Sequence, residues 1–337
     1  MSVESLDRSD PRRIGERITL HGRLGAGGMG RVYYGVTDGH EQVAVKVIKA
    51  DLVDRDEVRE RFARETDALR TLDGPHLASL VDASGEDDAD PWLAMEYVRG
   101  LTLNELVKTR GPLPVRDAAM LGFLLAGALR DVHGSGLLHR DLKPGNVLLG
   151  RDGPKVIDFG LVAFADGPTD LTTSRSMLGT PYCMPPEQMQ TPKEIAAAAD
   201  VYALGATLLF ALTGHYPYEA ETIHGVIGKV VSQHIGPDLS GLPDAFTGPV
   251  TAMLGFAAGD RPPLVKISHE LAGLCGPLPE AITAFALATY VERESDPADV
   301  EPPRPPRTDL SAVAPPGSLL AGLADRLRTS YAVSARF

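Results

Sequence analysis

Cysteine is nearly missing from this chain: Cys183 and Cys275 are the two thiols in 337 residues. Two thiols cannot build a disulfide framework or a four-cysteine zinc site, and such sparing use fits a reducing compartment. Cations are outnumbered, 33 Lys and Arg against 45 Asp and Glu, for a formal net charge of −12. That deficit argues against phosphate-backbone binding as the main activity, so no nucleic-acid partner is expected. No long apolar run is present. The most hydrophobic stretch, 195–214, is interrupted by Asp200, and the uncharged run after it is too short to span a bilayer. It reads as a buried core helix, and no membrane span is expected. The first 17 residues, MSVESLDRSDPRRIGER, hold no apolar core for an export signal. A soluble, cytoplasmic protein is therefore expected. A hydrophobic content of 43% excludes a wholly disordered chain, and the length suggests about two structural units.

What is there changes character along the chain. Residues 1–17 are polar and read as a flexible N-terminus. Over 18–98, short β-branched runs broken by glycine (ITLHGRLG, GRVYYGV, QVAVKVI, PWLAMEYV) predict a small antiparallel sheet. One helix is predicted among them at about 54–72, where Val58, Phe62, Leu69 and Leu72 recur at near-helical spacing. Residues 99–275 read as mainly helical, interrupted by the strand-like NVLLG and PKVIDFG. A further helix is predicted at 279–294. Residues 297–317 are proline-rich and read as a linker, and an amphipathic helix is predicted from Ser318. There is no internal repeat.

Gly25-Ala26-Gly27-Gly28-Met29-Gly30-Arg31-Val32 holds a G-x-G-x-x-G-x-V pattern. Glycines let backbone N–H groups approach a polyphosphate without side-chain collision. The chain continues as a strand rather than a helix, so the loop joins two antiparallel strands and is not a dinucleotide fingerprint. In Val43-Ala44-Val45-Lys46, strand alternation puts Ala44 and Lys46 on one side. The small Ala44 leaves room for a flat base, and Lys46 can reach phosphate oxygens. Glu65 is a candidate partner to hold Lys46.

His139-Arg140-Asp141-Leu142-Lys143-Pro144-Gly145-Asn146 comes next, then Asp158-Phe159-Gly160, Gly179-Thr180-Pro181 and Pro185-Pro186-Glu187. With these motifs in this order, the chain resembles the eukaryotic-like (Hanks-type) Ser/Thr protein kinases of bacteria, and most of all the actinobacterial members. The resemblance covers about 18–275. It implies an α+β, bilobal protein-kinase fold with a small β-rich N-lobe (18–98) and a larger α-helical C-lobe (99–275). Beyond it lies a C-terminal extension with a Pro-rich tail (276–337).

The resemblance also implies roles. ATP and Mg²⁺ (or Mn²⁺) would be bound. Lys46, oriented by Glu65, would hold the α- and β-phosphates. Asn146 and Asp158 would be the metal ligands, Asp141 the proton acceptor for a substrate hydroxyl, and Lys143 a support for the γ-phosphate. Gly25, Gly27 and Gly30 would line the phosphates, and Leu24, Val32, Ala44 and Leu148 would sandwich adenine. Met95 would sit behind it, with Glu96 to Val98 as the hinge. Leu69, Leu80, His139 and Phe159 would stack as an apolar spine. Glu187 would pair with Arg261, and Asp200 would hold the catalytic-loop backbone. Two positions depart from the pattern: Pro185 replaces an alanine, and Cys183 stands where a bulky residue is common.

Between Asp158 and Glu187, Thr169, Thr172, Thr173, Ser174 and Ser176 are candidate phosphorylation sites, and a phosphate there could pair with Arg140. Protein substrates carrying Ser or Thr are the expected partners. A homodimer for autophosphorylation is compatible with this reading, and the tail suggests no particular partner. Two other classes fit less well. A nucleotide-binding scaffold without catalysis is disfavoured by retention of Lys46, Glu65, Asp141, Asn146 and Asp158. A small-molecule kinase is disfavoured by the Gly179-Thr180 element.

Overall fold

In this computed structural model the described residues are 4–27, 30–49, 56–85, 88, 90–159, 181–191 and 195–292. Strands β1 (Arg13–Ile14), β2 (Ile18–Ala26), β3 (Gly30–Thr37), β4 (Gln42–Ile48), β5 (Leu80–Ala83) and β6 (Trp92–Glu96) form one antiparallel sheet in the order β1-β2-β3-β4-β6-β5. Strand parity sorts its two faces. Val43, Val45, Tyr33, Trp92 and Ala94 point to the outer face and form a small cluster with Ile14, Ile18 and Leu20. Ile48 and Leu93 point inward to the main core, together with Phe62 and Leu69 of helix α1 (Asp56–Thr71). Lys46 pairs with Val32 and with Leu93, so it shares the inner face.

The helical part begins at α2 (Leu103–Arg110). A capping box opens this helix: Thr102 accepts from the Glu105 N–H, and the Glu105 carboxylate accepts from the Thr102 N–H. Helices α3 (Val115–Gly134) and α5 (Ala198–Thr213) form the centre, and every residue from 199 to 212 is buried. Asp200 is among them, which explains how an apolar run tolerates it only with donors at hand. α7 (Asp244–Met253) and α8 (Leu264–Cys275) pack against α5 and α3 respectively. α3 and α8 approach closely at Gly122, where a Cβ would stand 2.6 Å from Leu271 Cδ1 and 2.9 Å from Leu208 Cδ1. A second sheet, β7 (Leu101–Thr102), β8 (Val147–Gly150) and β9 (Gly153–Val156), carries the chain between the two groups of site residues. Short helices α4 (Pro186–Gln190) and α6 (Ile223–Val230) complete the lobe before α9 (Leu278–Thr289). No single helix among the described residues is long and apolar enough to cross a membrane.

In the described part of the polar N-terminus, β1 pairs with β2, and Asp10 is buried. The segment's polar side chains are engaged with one another and with the sheet, which composition alone does not reveal. The boundary drawn at 275 falls inside a compact unit running from residue 1 to 297. Gly276, at φ 78°, ends α8. The chain then restarts as α9, whose buried Ala281, Phe285 and Ala286 pack on α3, α8, β8 and β9. The amphipathic helix predicted from Ser318 and the proline-rich linker lie outside the described residues.

Candidate active site

The glycine hairpin closes where the Gly27 N–H donates to the Gly30 carbonyl at 2.8 Å, with the reverse bond at 3.4 Å. Gly30 sits against β4: a Cβ there would fall 1.9 Å from the Val47 carbonyl oxygen. Only glycine permits that approach. Leu24, Gly25, Val32, Ala44, Met95, Val98 and Leu148 are part-buried, and Gly27 is exposed. Ala44 pairs with Met95, and Val43 with Glu96, so β6 brings these two residues beside β4. Glu96 is anchored by Lys155 of β9, whose Nζ stands 2.9 Å from Glu96 Oε2 and 3.1 Å from the Leu77 carbonyl.

The catalytic-loop segment is organised from below by Asp200. Its carboxylate accepts the His139 N–H at 2.9 Å, the Arg140 N–H at 2.8 Å and His133 Nε2 at 2.7 Å. Burial alone would push its carboxyl up. The hydrogen bond from His133 and the two backbone N–H groups outweigh that and hold it below the usual carboxylate range. Arg140 itself has φ 65°, a left-handed conformation that a non-glycine residue keeps only under such constraint. His139 is fully buried and stacks near Phe159, ring centroids 5.1 Å apart. Its Nδ1 accepts from the Asp141 N–H at 3.3 Å, so Nε2, 3.2 Å from the Ile157 carbonyl, carries the proton. Burial pushes the imidazole below its ordinary pKa, so the ring is neutral. Leu69 and Phe159 are buried with it in the main core, and Leu80 packs against that core.

Asp141 is fixed by two donors on one oxygen: Lys143 Nζ at 2.7 Å and Asn146 Nδ2 at 2.9 Å, both to Oδ2. None of the described hydrogen bonds falls on Oδ1. Asn146 Nδ2 also reaches the Asp141 carbonyl at 2.8 Å, so its side-chain oxygen is the group available to a ligand. Asp158, also left-handed at φ 65°, is ion-paired with Lys46. Burial pushes its carboxyl up, but the Lys46 ammonium, with Lys143 behind it, holds it low. Among the described residues no group of three His, Cys, Asp or Glu could hold a metal. Two oxygen donors, Asn146 and Asp158, do suit a Mg²⁺ that completes its shell with nucleotide phosphates and water.

The described ion pair of Glu65 joins its Oε1 to Arg140 Nη1 at 2.6 Å, and the described ion pair of Lys46 is with Asp158. A carboxylate in α1 and two nearby cations are legible in a sequence; which cation it meets depends on the placement of α1.

Arg261 and Glu187 meet as a two-pronged pair at 2.6 and 2.8 Å. Arg261 also donates to the carbonyls of Gly255, Ala198 and Phe256 and lies 5.0 Å from the Tyr202 ring. Gln188 was not singled out from the sequence. Its amide donates to the Arg140 carbonyl at 2.8 Å, tying the Pro-Pro-Glu segment to the catalytic loop. The burial of Cys183 pushes its thiol up to about 12, so it is an inert packing residue. Thr169, Thr172, Thr173, Ser174 and Ser176 lie outside the described residues.

A β-sheet lobe carrying the glycine hairpin and a helical lobe carrying the Asp141–Asn146 segment define a fold of protein-kinase type. The protein kinase domain family matches residues 18–246. The chain is 44% identical over 242 residues to the serine/threonine-protein kinase AfsK of Streptomyces griseus, covering 72% of this chain and 29% of that protein. It is 40% identical over 270 residues to AfsK of Streptomyces coelicolor, covering 80% and 33%. Among solved structures, the PknI kinase domain of Mycobacterium tuberculosis is similar, with TM-score 0.62 and 27% identity, covering 78% of this chain and 98% of that one. The chain belongs to the protein kinase family, and it spans about a third of the length of these Streptomyces relatives.

Proposed function

We propose that this protein is a protein Ser/Thr kinase that transfers the γ-phosphate of ATP to Ser or Thr hydroxyls of protein substrates in bacterial signalling. A cytoplasmic location, where ATP is available, is part of this reading. The observation that carries it is the Asp141 carboxylate, held through Oδ2 by Lys143 and Asn146.

In this reading the glycine hairpin and Lys46 grip the triphosphate, and Leu24, Val32, Ala44, Met95 and Leu148 enclose the base, with main-chain groups at Glu96 to Val98 available to hydrogen-bond it. Asp141 orients the substrate hydroxyl, whose oxygen forms the new bond to the γ-phosphorus while the bond to ADP breaks. The hydroxyl proton passes to the Asp141 carboxylate. Lys143, already on Asp141, faces the transferred group. Mg²⁺ held by Asn146 and Asp158 would neutralise phosphate charge. Lys46 is on Asp158 in the present arrangement, so nucleotide phosphates would compete for it.

The same reading gives Arg140 a second partner. A phosphate in 169–176, placed by autophosphorylation, carries about −1.5 to −2 charge and would compete with Glu65 for that guanidinium. Released, Glu65 could turn to Lys46. The test of the central assignment is a phosphate-transfer assay with ATP, Mg²⁺ and a generic protein substrate. Wild type should label the substrate on Ser or Thr. Asp141→Asn should lose about three or more orders of magnitude in turnover while remaining folded. Full activity in a folded Asp141→Asn variant would sink the assignment.

A further inference from the structure

The N-terminal segment makes contacts that neither catalysis nor the lobe core requires. Asp10 has a side chain with 0% exposure. Its carboxylate accepts from Arg23 Nη2 at 2.7 and 2.9 Å, Arg31 Nη1 at 3.2 Å, Tyr33 Oη at 2.8 Å and the Asp7 N–H at 3.0 Å. A buried charge persists only with such a set of donors. Three of these donors belong to the two strands of the glycine hairpin: Arg23 to β2, Arg31 and Tyr33 to β3. The segment is also tied by backbone. Where β2 slips out of register with β3 between Arg23 and Gly25, the Arg23 N–H and carbonyl bond instead to Glu4, at 2.8 and 3.0 Å. Leu6 packs on the outer-face cluster. The strap thus covers an otherwise open edge of the sheet.

Arg31 has the telling position. It pairs with Ala26 across the hairpin, next to the Gly27–Gly30 pair that closes it. Its neighbour Val32 points to the opposite face, beside Lys46. A glycine-rich turn has little stiffness of its own, so what grips its base sets where its N–H groups lie. We propose that residues 4–14 are a working part of the nucleotide site, with Asp10 as a positioning residue that sets the glycine hairpin through Arg31, Arg23 and Tyr33. The proposal rests on the reading of that hairpin as the phosphate-binding element.

The test uses the full chain with Asp10→Asn, Arg31→Gln and the double variant. Trp92→Leu serves as a control that disturbs the outer-face cluster without touching the carboxylate. In Asp10→Asn the KM for ATP should rise about tenfold, equivalent to ~1.4 kcal/mol, with kcat changed less than about twofold. Arg31→Gln should do the same to a smaller degree, and the double variant should be no worse than Asp10→Asn, because both act through one contact. Amide hydrogen exchange over 23–32, measured without nucleotide, should quicken in Asp10→Asn. Trp92→Leu should lower the melting temperature and leave the KM for ATP alone. If Asp10→Asn lowers the melting temperature while ATP KM and hairpin exchange stay at wild-type values, the strap is scaffolding and the proposal falls. Should Asp10→Asn fail to fold, Arg31→Gln decides, since Arg31 is half-exposed. Should wild type transfer no phosphate at all, the kinase reading fails instead, and hairpin exchange alone decides the strap.

Discussion

Asp200 shows how one side chain can hold a loop in an unfavourable shape. It receives two consecutive backbone N–H groups, from His139 and Arg140, while Arg140 sits in the left-handed region. Asp200→Ala would orphan both donors, at about 1–3 kcal/mol for each buried group. A drop in the urea midpoint together with lost activity is the expected result, with Asp200→Asn falling in between. The pH dependence follows from two depressed pKa values. His139, pushed down by burial, stays neutral in the fold while the unfolded chain takes up a proton near pH ~6.5. Its contribution is complete above that pH and is lost on acidification. Asp200, held below the carboxylate range against the cost of burial, contributes fully above about pH 4 and fails only lower. The urea midpoint should therefore decline between pH 7 and 5, and His139→Phe should make that decline shallower.

Among the elements, α8 and α9 lie beyond the stretch 18–246 matched by the kinase family, yet both are built into the lobe. Phe285 is 1% exposed and Leu287 is 78% exposed on the same helix. Phe285→Ala should cost about 3–5 kcal/mol, and Leu287→Ala should be close to neutral; chemical denaturation of both measures the contrast. α9 was legible in sequence from Pro279 at the first turn of a helix predicted over 279–294, although the helix ends at Thr289. The four main strands were legible as β-branched runs broken by glycine. The short β1 and β5 were not, because two to four residues carry no period. Within the site, residues that are contiguous in sequence, such as Asp141, Lys143 and Asn146, could be grouped on sight. Asp10 could not: an aspartate in a polar run looks the same whether solvated or buried. Nor could the Glu65–Arg140 pair be read, since it depends on where α1 is placed.

For the molecule as a whole, the Glu65–Arg140 pair links the α1 side to the catalytic loop, and the Lys46–Asp158 pair links β4 to the segment after β9. Both pairs set site groups against one another, and the proposed function requires those groups to exchange partners. Protein incubated with ATP and Mg²⁺ should carry phosphate within 169–176 and become more active, and Asp141→Asn should carry none. Glu65→Gln should lose activity in both forms. Arg140→Ala should narrow the gap between phosphorylated and unphosphorylated enzyme. Mass spectrometry with activity on an added substrate checks all three, and full activity with no phosphate in 169–176 would remove the exchange from the account.

Gly122 and Gly30 are both too crowded for a side chain, but the obstacles differ in kind. At Gly122 they are the terminal methyls of Leu271 and Leu208; at Gly30 the obstacle is the backbone oxygen of Val47. Methyls can be removed by a second mutation, and a peptide oxygen cannot. In a suppressor screen, Gly122→Ala should be rescued by shortening Leu271 or Leu208, for example to Val, which restores the room between the helices. Gly30→Ala should yield no such revertants, only restoration of glycine itself. The two glycines therefore predict opposite genetic histories: one position free to drift in concert with its neighbours, the other held fixed by the main chain.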